Sequence, residues 1–317
     1  MAFPVMKAFR TTLAYLQQHA PDLLKALWLP AVLLVALQFY AISPLFTAMA
    51  AILELGDNPD PAEAAAFLGE FVKWGALLTL GSAIVIPMMT VASLRHIVRG
   101  ETQREFFYLR YGGDELRILA AYVLLTVMVM LIAIVGGLAV SIFALIFALA
   151  GPAAKALAAS AGNFGVNVLT AWFRLRLSVL FPASIATRTI GFGVSWEATK
   201  GDVLRLLLFW ALIGLILIPV GLVAAAPLFG DLLPLMQKVA EAGSDETAAR
   251  EALIPLLRRL ASIFSLANPQ AAFLAPIFVL STMASTAIVN VAGGAAWRLL
   301  TDDAAPKPPA QAAEMAA

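Results

Sequence analysis

The sequence predicts an all-α integral membrane protein with six transmembrane helices, and three observations carry that prediction. Of 317 residues, 62% are hydrophobic and 13% charged, against about 25% charged in a soluble domain. Mean hydropathy is +0.89, so lipid must be the solvent for much of the surface. Six stretches, roughly 24–50, 72–94, 117–150, 155–173, 203–229 and 271–297, meet the length of about 20 apolar residues that a bilayer crossing requires. Residues 1–300 read as a single membrane domain. The tail 301–317, with Pro306, Pro308, Pro309 and many Ala, reads as disordered.

The N-terminal segment 3–19 is amphipathic, with Phe9, Leu13 and Leu16 at helical spacing, and lacks the continuous apolar core of a signal peptide. The apolar run after Asp22 is therefore read as a retained span. The third span is long enough to tilt. In the loop 231–269, Leu253, Leu256, Leu257, Leu260, Ile263 and Phe264 follow a helical period, with Arg258 and Arg259 off the apolar face and Pro255 near its start. That outer amphipathic helix either lies on the outer leaflet or docks a protein partner.

Orientation follows from the basic residues. Thirteen of the 21 Lys and Arg fall on the side of both termini, six on the other, and Arg174 and Arg176 close span 4. Both termini are expected in the cytoplasm, in the cell inner membrane. Loop 1–2, with Glu54, Asp57, Asp60 and Glu63, fits the outer side.

Three span entries share Asp-x-Leu-(Lys/Arg): Asp22 to Lys25, Asp114 to Arg117 and Asp202 to Arg205. Gly or Pro precedes each, so the expected physics is helix initiation with Asp as the cap and the base snorkelling to lipid phosphate. The exits match too: Leu94-Arg95, Phe173-Arg174 and Trp297-Arg298. They favour Arg174 and Arg176 at the cytoplasmic boundary, with 175–200 along or dipping into the inner leaflet. The alternative is a span over 164–187 that buries both as a functional site. Segments 3–19, 95–111 (Phe106, Phe107, Tyr108, Tyr111) and 175–200 (Phe181, Phe192, Trp196) mix aromatics with charge, as interfacial segments do. The expected architecture is three hairpins, each preceded by a cytoplasmic interfacial segment.

The stretch Arg174-Leu-Arg-Leu-Ser-Val-Leu-Phe-Pro-Ala183, then Ser195-Trp-Glu-Ala-Thr-Lys-Gly-Asp202, resembles the membrane domain found with some bacterial glycerophosphodiester phosphodiesterases and its stand-alone multi-span relatives. Arg99-Gly-Glu101, Phe107-Tyr108 and Asp114-Glu-Leu-Arg117 are similar to that group as well, over about residues 5–300. The resemblance implies a multi-span inner-membrane protein and supplies no catalytic residues. The phosphodiesterase chemistry belongs to a separate barrel, whose His-Arg-Gly motif differs from His96-Ile-Val-Arg-Gly100 here.

The residues themselves offer little catalysis. His19 and His96, the only histidines, lie in separate segments and read as solvated or headgroup-facing side chains; no metal, cofactor or nucleophile system is expected. No Asp or Glu lies at the centre of a span, which argues against proton-coupled transport. Gln38, Thr79, Ser82, Thr90, Asn167, Thr170 and Asn290 are mild polar groups at depth. Ser281 with Ser285, the run Ala292–Ala296, and Gly214 with Gly221 read as small-residue packing faces. Net charge of +1 without a basic block argues against nucleic acid, and the absence of Cys excludes thiolate and disulfide chemistry. Arg95, Arg99, Arg174, Arg176 and Arg188 remain as candidate contacts for anionic headgroups, or as positive-inside anchors. Glu115 is a candidate partner for Arg174 or Arg176. The expected function is non-enzymatic: binding or organising lipids, or supporting a lipid-related partner. A transporter or lipid-translocating permease, suggested by Pro30, Pro44, Pro87, Pro219 and Pro276, and a scaffold subunit of a membrane complex are the alternatives.

Overall fold

The computed structural model describes residues 2–56, 60–101, 111–243 and 245–301, so the expected disordered tail lies outside the described residues, as do the aromatics 106–108. The described residues form helices and no strand: α1 (Val5–Glu54), α2 (Pro61–Leu94), a π-helical turn (Arg95–Arg99), α3 (Gly113–Ala148), α4 (Pro152–Arg176), α5 (Leu180–Thr187), α6 (Phe192–Ala198), α7 (Val203–Ala242), α8 (Glu246–Ile263) and α9 (Pro269–Thr301). Six helical segments are long and apolar enough to cross a membrane: Val5–Glu54, Pro61–Arg99, Gly113–Ala148, Pro152–Thr187, Val203–Ala242 and Pro269–Thr301. The chain is a multi-pass membrane protein.

The first correction concerns α1. Amphipathic segment and span were expected as two units separated by Pro21 and Asp22, yet one helix of 50 residues runs through Pro21, Pro30 and Pro44. At 1.5 Å per residue it is about 75 Å long, more than twice the hydrocarbon thickness. Pro21 leaves the carbonyl of Gln17 without its intrahelical donor, and Gln17 is exposed, so water can replace the bond. The amphipathic face is not spread on a headgroup layer. Phe3 and Ala8 are buried with Val179, Ala183, Phe209 and Trp297, and Phe9 and Leu16 pack on the same cluster. Phe181, Phe192 and Trp196 likewise pack against Phe173, Leu177 and Leu180. Segments that share one apolar base bury their faces on each other, which removes more apolar area from contact with water than lying singly at an interface.

α1 packs along α2, α9 and α8, while α3 packs chiefly on α4. Close approach follows the small residues. Ala292, Gly293, Gly294, Ala295 and Ala296 are all buried, and a Cβ on Gly294 would overlap the Ile97 side chain. Between α3 and α4, a Cβ on Gly136 would lie 2.6 Å from Val166, and one on Gly162 would lie 2.7 Å from Val140. Gly214 and Gly221 depart from expectation: nothing approaches within 4 Å of either Cβ position. That face of α7 has no neighbour among the described residues.

The expected loop 231–269 is mostly helix. α7 continues to Ala242, and α8 follows after Asp245, whose side chain caps Thr247 and Ala248. Pro255 sits mid-helix rather than near the start. The apolar face of α8 docks on its own bundle, burying Ile263 with Val35, Phe39, Ala271 and Leu274. Arg258 pairs with Glu54 at 2.7 Å and Arg259 with Asp231. We call this the far end of the bundle; the opposite end, where residue 3, the π-turn and the start of α3 meet, is the base.

Candidate functional site

Polar side chains converge at the base. α2 ends in the π-turn Arg95–Arg99, closed by Gly100 at φ 69, a left-handed conformation that costs glycine little. Residues four apart in this turn lie on one face. Arg95 and Arg99 therefore reach the same carboxylate, Asp114 near the start of α3, at 2.6 Å and 2.8 Å. Arg117, one turn further along α3, also pairs with Asp114. Arg99 donates as well to the Ile185 carbonyl of α5, which ties the π-turn, α3 and α5 together.

Glu115 is fully buried. Its carboxylate accepts from the Gly112 N–H at 2.9 Å and lies 3.7 Å from Arg95. The expected pairing with Arg174 or Arg176 is thus replaced: Glu115 closes the first turn of its own helix, a capping role that needs an acid at the third helical position. Partial burial and the Glu115 carboxylate push the phenol of nearby Tyr111 above its ordinary value.

The shared Asp of the three span entries does not cap in any of them. Asp22 lies inside α1 and faces His19 and His96. Asp114 is the hub just described. Asp202 holds the N-cap position of α7, but its carboxylate accepts from Phe3 N–H at 3.0 Å and from Arg205 at 3.0 Å. Two of the three bases, Arg117 and Arg205, pair with the Asp three residues earlier instead of snorkelling.

The five candidate arginines separate into three environments. Arg95 and Arg99 are held in the Asp114 network. Arg176 is 5% exposed, with its guanidinium 4.4 Å from the centre of the Trp196 ring, and its carbonyl accepts from Ser195 and Thr199 hydroxyls. It belongs to the packing between α4 and α6, a cation–π contact, rather than to an open boundary. Arg174 and Arg188 are exposed. Arg188 ends α5 at φ 57, an uncommon conformation for a side chain with a Cβ.

One hollow lies at the base and another toward the far end. A polar pocket of about 420 Å³ is lined by Val98, Arg99, Ala186, Trp297, Arg298 and Thr301. An apolar groove of about 630 Å³ runs between α3 and α4, lined by residues including Gly136, Val140, Phe143, Gly162, Val166 and Leu169. No family model matches the chain, and no curated protein or solved structure matches it either.

The base also contains a grouping absent from the sequence expectations. Tyr15, His19 and Asp22 of α1 meet His96 of the π-turn, with the rings of His19 and His96 4.7 Å apart. The signal for half of it was present: Asp22 stands three residues after His19, so both share one face of a helix. His96 is distant in sequence, and only the packing of α1 along α2 brings it in.

Proposed function

We propose that the chain is a non-catalytic inner-membrane protein that binds anionic phospholipid, with both termini cytoplasmic and its spans arranged as three hairpins. The observation that carries this reading is the polar pocket at the base, where Arg99 and Arg298 flank a space of about 420 Å³. Arg95, Arg99 and Arg117 face Asp114, Glu115 and Glu101, so the cationic character of the pocket rests on Arg298 in its lining and on the exposed Arg188, two residues from the lining Ala186. Basic pockets between spans on the cytoplasmic side suit lipid headgroups. The basic excess at this end supports the cytoplasmic assignment. Toward the far end, the groove between α3 and α4 has apolar walls with three glycines, Gly136, Gly162 and Gly165, among its lining residues, and so suits contact with the acyl chain of a separate lipid. The resemblance to membrane domains associated with phosphodiester-lipid enzymes agrees with a lipid ligand. An apolar side groove supports lipid contact over a polar conduction path, which a permease would need.

The test is native mass spectrometry of the protein released gently from its membrane, beside Arg298→Gln and Arg188→Gly. The glycine variant removes the cation while relieving a left-handed residue, so loss of folding does not confuse the result. Stoichiometric anionic phospholipid on the parent protein, reduced in both variants, is the expected result. Equal retention of zwitterionic and anionic lipid, unchanged by either substitution, overturns the proposal.

A further inference from the structure

We propose that His19, Asp22 and His96 form a binding site for a divalent first-row transition-metal ion of the zinc class. Each offers one ligand atom, and the three atoms lie within 4.8 Å of one another. Asp22 Oδ2 is central: His19 Nδ1 and His96 Nε2 are each 4.0 Å from it. Tetrahedral zinc with bonds near 2.0–2.1 Å separates its ligands by about 3.4 Å. To reach that spacing the two distances to Asp22 close by about 0.6 Å, and the widest separation in the group, up to 4.8 Å, closes by about 1.4 Å.

A second observation points to a ligand. His96 is 7% exposed, and among the described residues its buried Nε2 has no hydrogen-bond partner. A buried ring nitrogen without a partner carries a desolvation cost that native structures normally avoid. Here that nitrogen faces the Asp22 carboxylate at a distance too long for a hydrogen bond and suited to an intervening ion. The other ring nitrogen is already fixed, because His96 Nδ1 is hydrogen-bonded to the Tyr15 hydroxyl. When Nδ1–H donates to the Tyr15 oxygen, the Nε2 lone pair is left for metal. This is the outer-shell arrangement that metal-bound histidines generally adopt.

The ligand set fits this ion class. Two imidazoles and one carboxylate suit zinc and its neighbours better than magnesium or calcium, which prefer all-oxygen shells. His19 and Asp22 side chains are 35% and 48% exposed, so an ion enters from the aqueous side and the fourth position stays open to water. Bound there, the metal would clamp α1 to the π-turn that orders Arg95 and Arg99. The site does not depend on the lipid reading.

The test uses the full chain, stripped with chelator in detergent micelles and titrated with Co²⁺, whose visible ligand-field absorption reports imidazole and carboxylate ligation. One equivalent should bind, with a rise in Tm, since a ligand of the native state stabilises it. Asp22→Asn and His19→Gln, both at exposed side chains, should weaken binding at least tenfold, and Tyr15→Phe about tenfold through the outer shell. His96→Gln should abolish the absorption; should it fail to fold, the two exposed variants decide. Absence of absorption and of any Tm change with Co²⁺ or Zn²⁺ overturns the proposal, as does unchanged affinity in Asp22→Asn and His19→Gln.

Discussion

Asp114 is the residue whose removal should cost most. Its carboxylate is 7% exposed and faces three guanidinium groups, two of them on side chains only 15% and 16% exposed. Desolvating these charges is tolerable only while they are paired. Asp114→Asn is expected to lose about 3–5 kcal/mol, the range for breaking a buried pair from one side. Glu54→Gln offers the contrast. It breaks a pair of similar length to Arg258, but Arg258 is 66% exposed, and exposed pairs contribute about 0–1 kcal/mol. Unfolding of both variants in mixed micelles, followed by far-UV circular dichroism, should separate them clearly. Similar losses would mean that burial does not govern the ion pairs at the base. Asn290 is a quieter case. Its amide donates to the Ser93 hydroxyl at 2.9 Å, and its depth in span 6 made a partner on another helix foreseeable from the sequence.

Single helices show how far spacing alone can go. The Ala292–Ala296 run was legible as a contact face because five consecutive small residues leave room whichever way the helix turns. Gly214 and Gly221 were not, because their seven-residue spacing fixes a face and does not say whether anything sits against it. The substitutions should follow that distinction. Gly294→Leu drives a side chain into Ile97 and should destabilise by about 1–3 kcal/mol, the usual cost of overpacking. Gly214→Ala meets nothing and should stabilise by about 0.5–1 kcal/mol through helix propensity. Thermal melts of the two purified variants check the opposite signs. The amphipathic segments around Phe9 and Leu256 were likewise recognisable as helices. Their partners were not, since an apolar face looks the same whether it covers lipid or its own bundle. The shared Asp of the span entries misled for a related reason. Asp before a helix usually caps, but Arg95, Arg99 and Phe3 N–H compete for these carboxylates, and such competitors lie far off in the chain.

For the molecule as a whole, composition and hydropathy pointed to the six helices long and apolar enough to cross a membrane, with several ends near those observed; α1 and α2 start well before the expected spans, the fourth segment runs on to Thr187, and α7 continues to Ala242. The base was only half legible, because its contacts join residues 19, 96, 114 and 298 through packing. Topology is directly measurable, since the native sequence lacks Cys and any introduced thiol labels without background. Cysteines at Gly243 or Asn268, at the far end, should react with an impermeant maleimide added to intact cells. One at Glu197, near the base and 71% exposed, should react only after permeabilisation. The reverse pattern would invert the proposed orientation. The environment of Phe3 bears on how the protein is made. Its ring meets Phe209 edge-on at 5.7 Å and shares a cluster with Trp297, while its N–H bonds Asp202. Phe3 therefore reaches all of these neighbours only after α7 and α9 have been made. Until α9 is made, the pocket that receives the Phe3 ring lacks one of its walls.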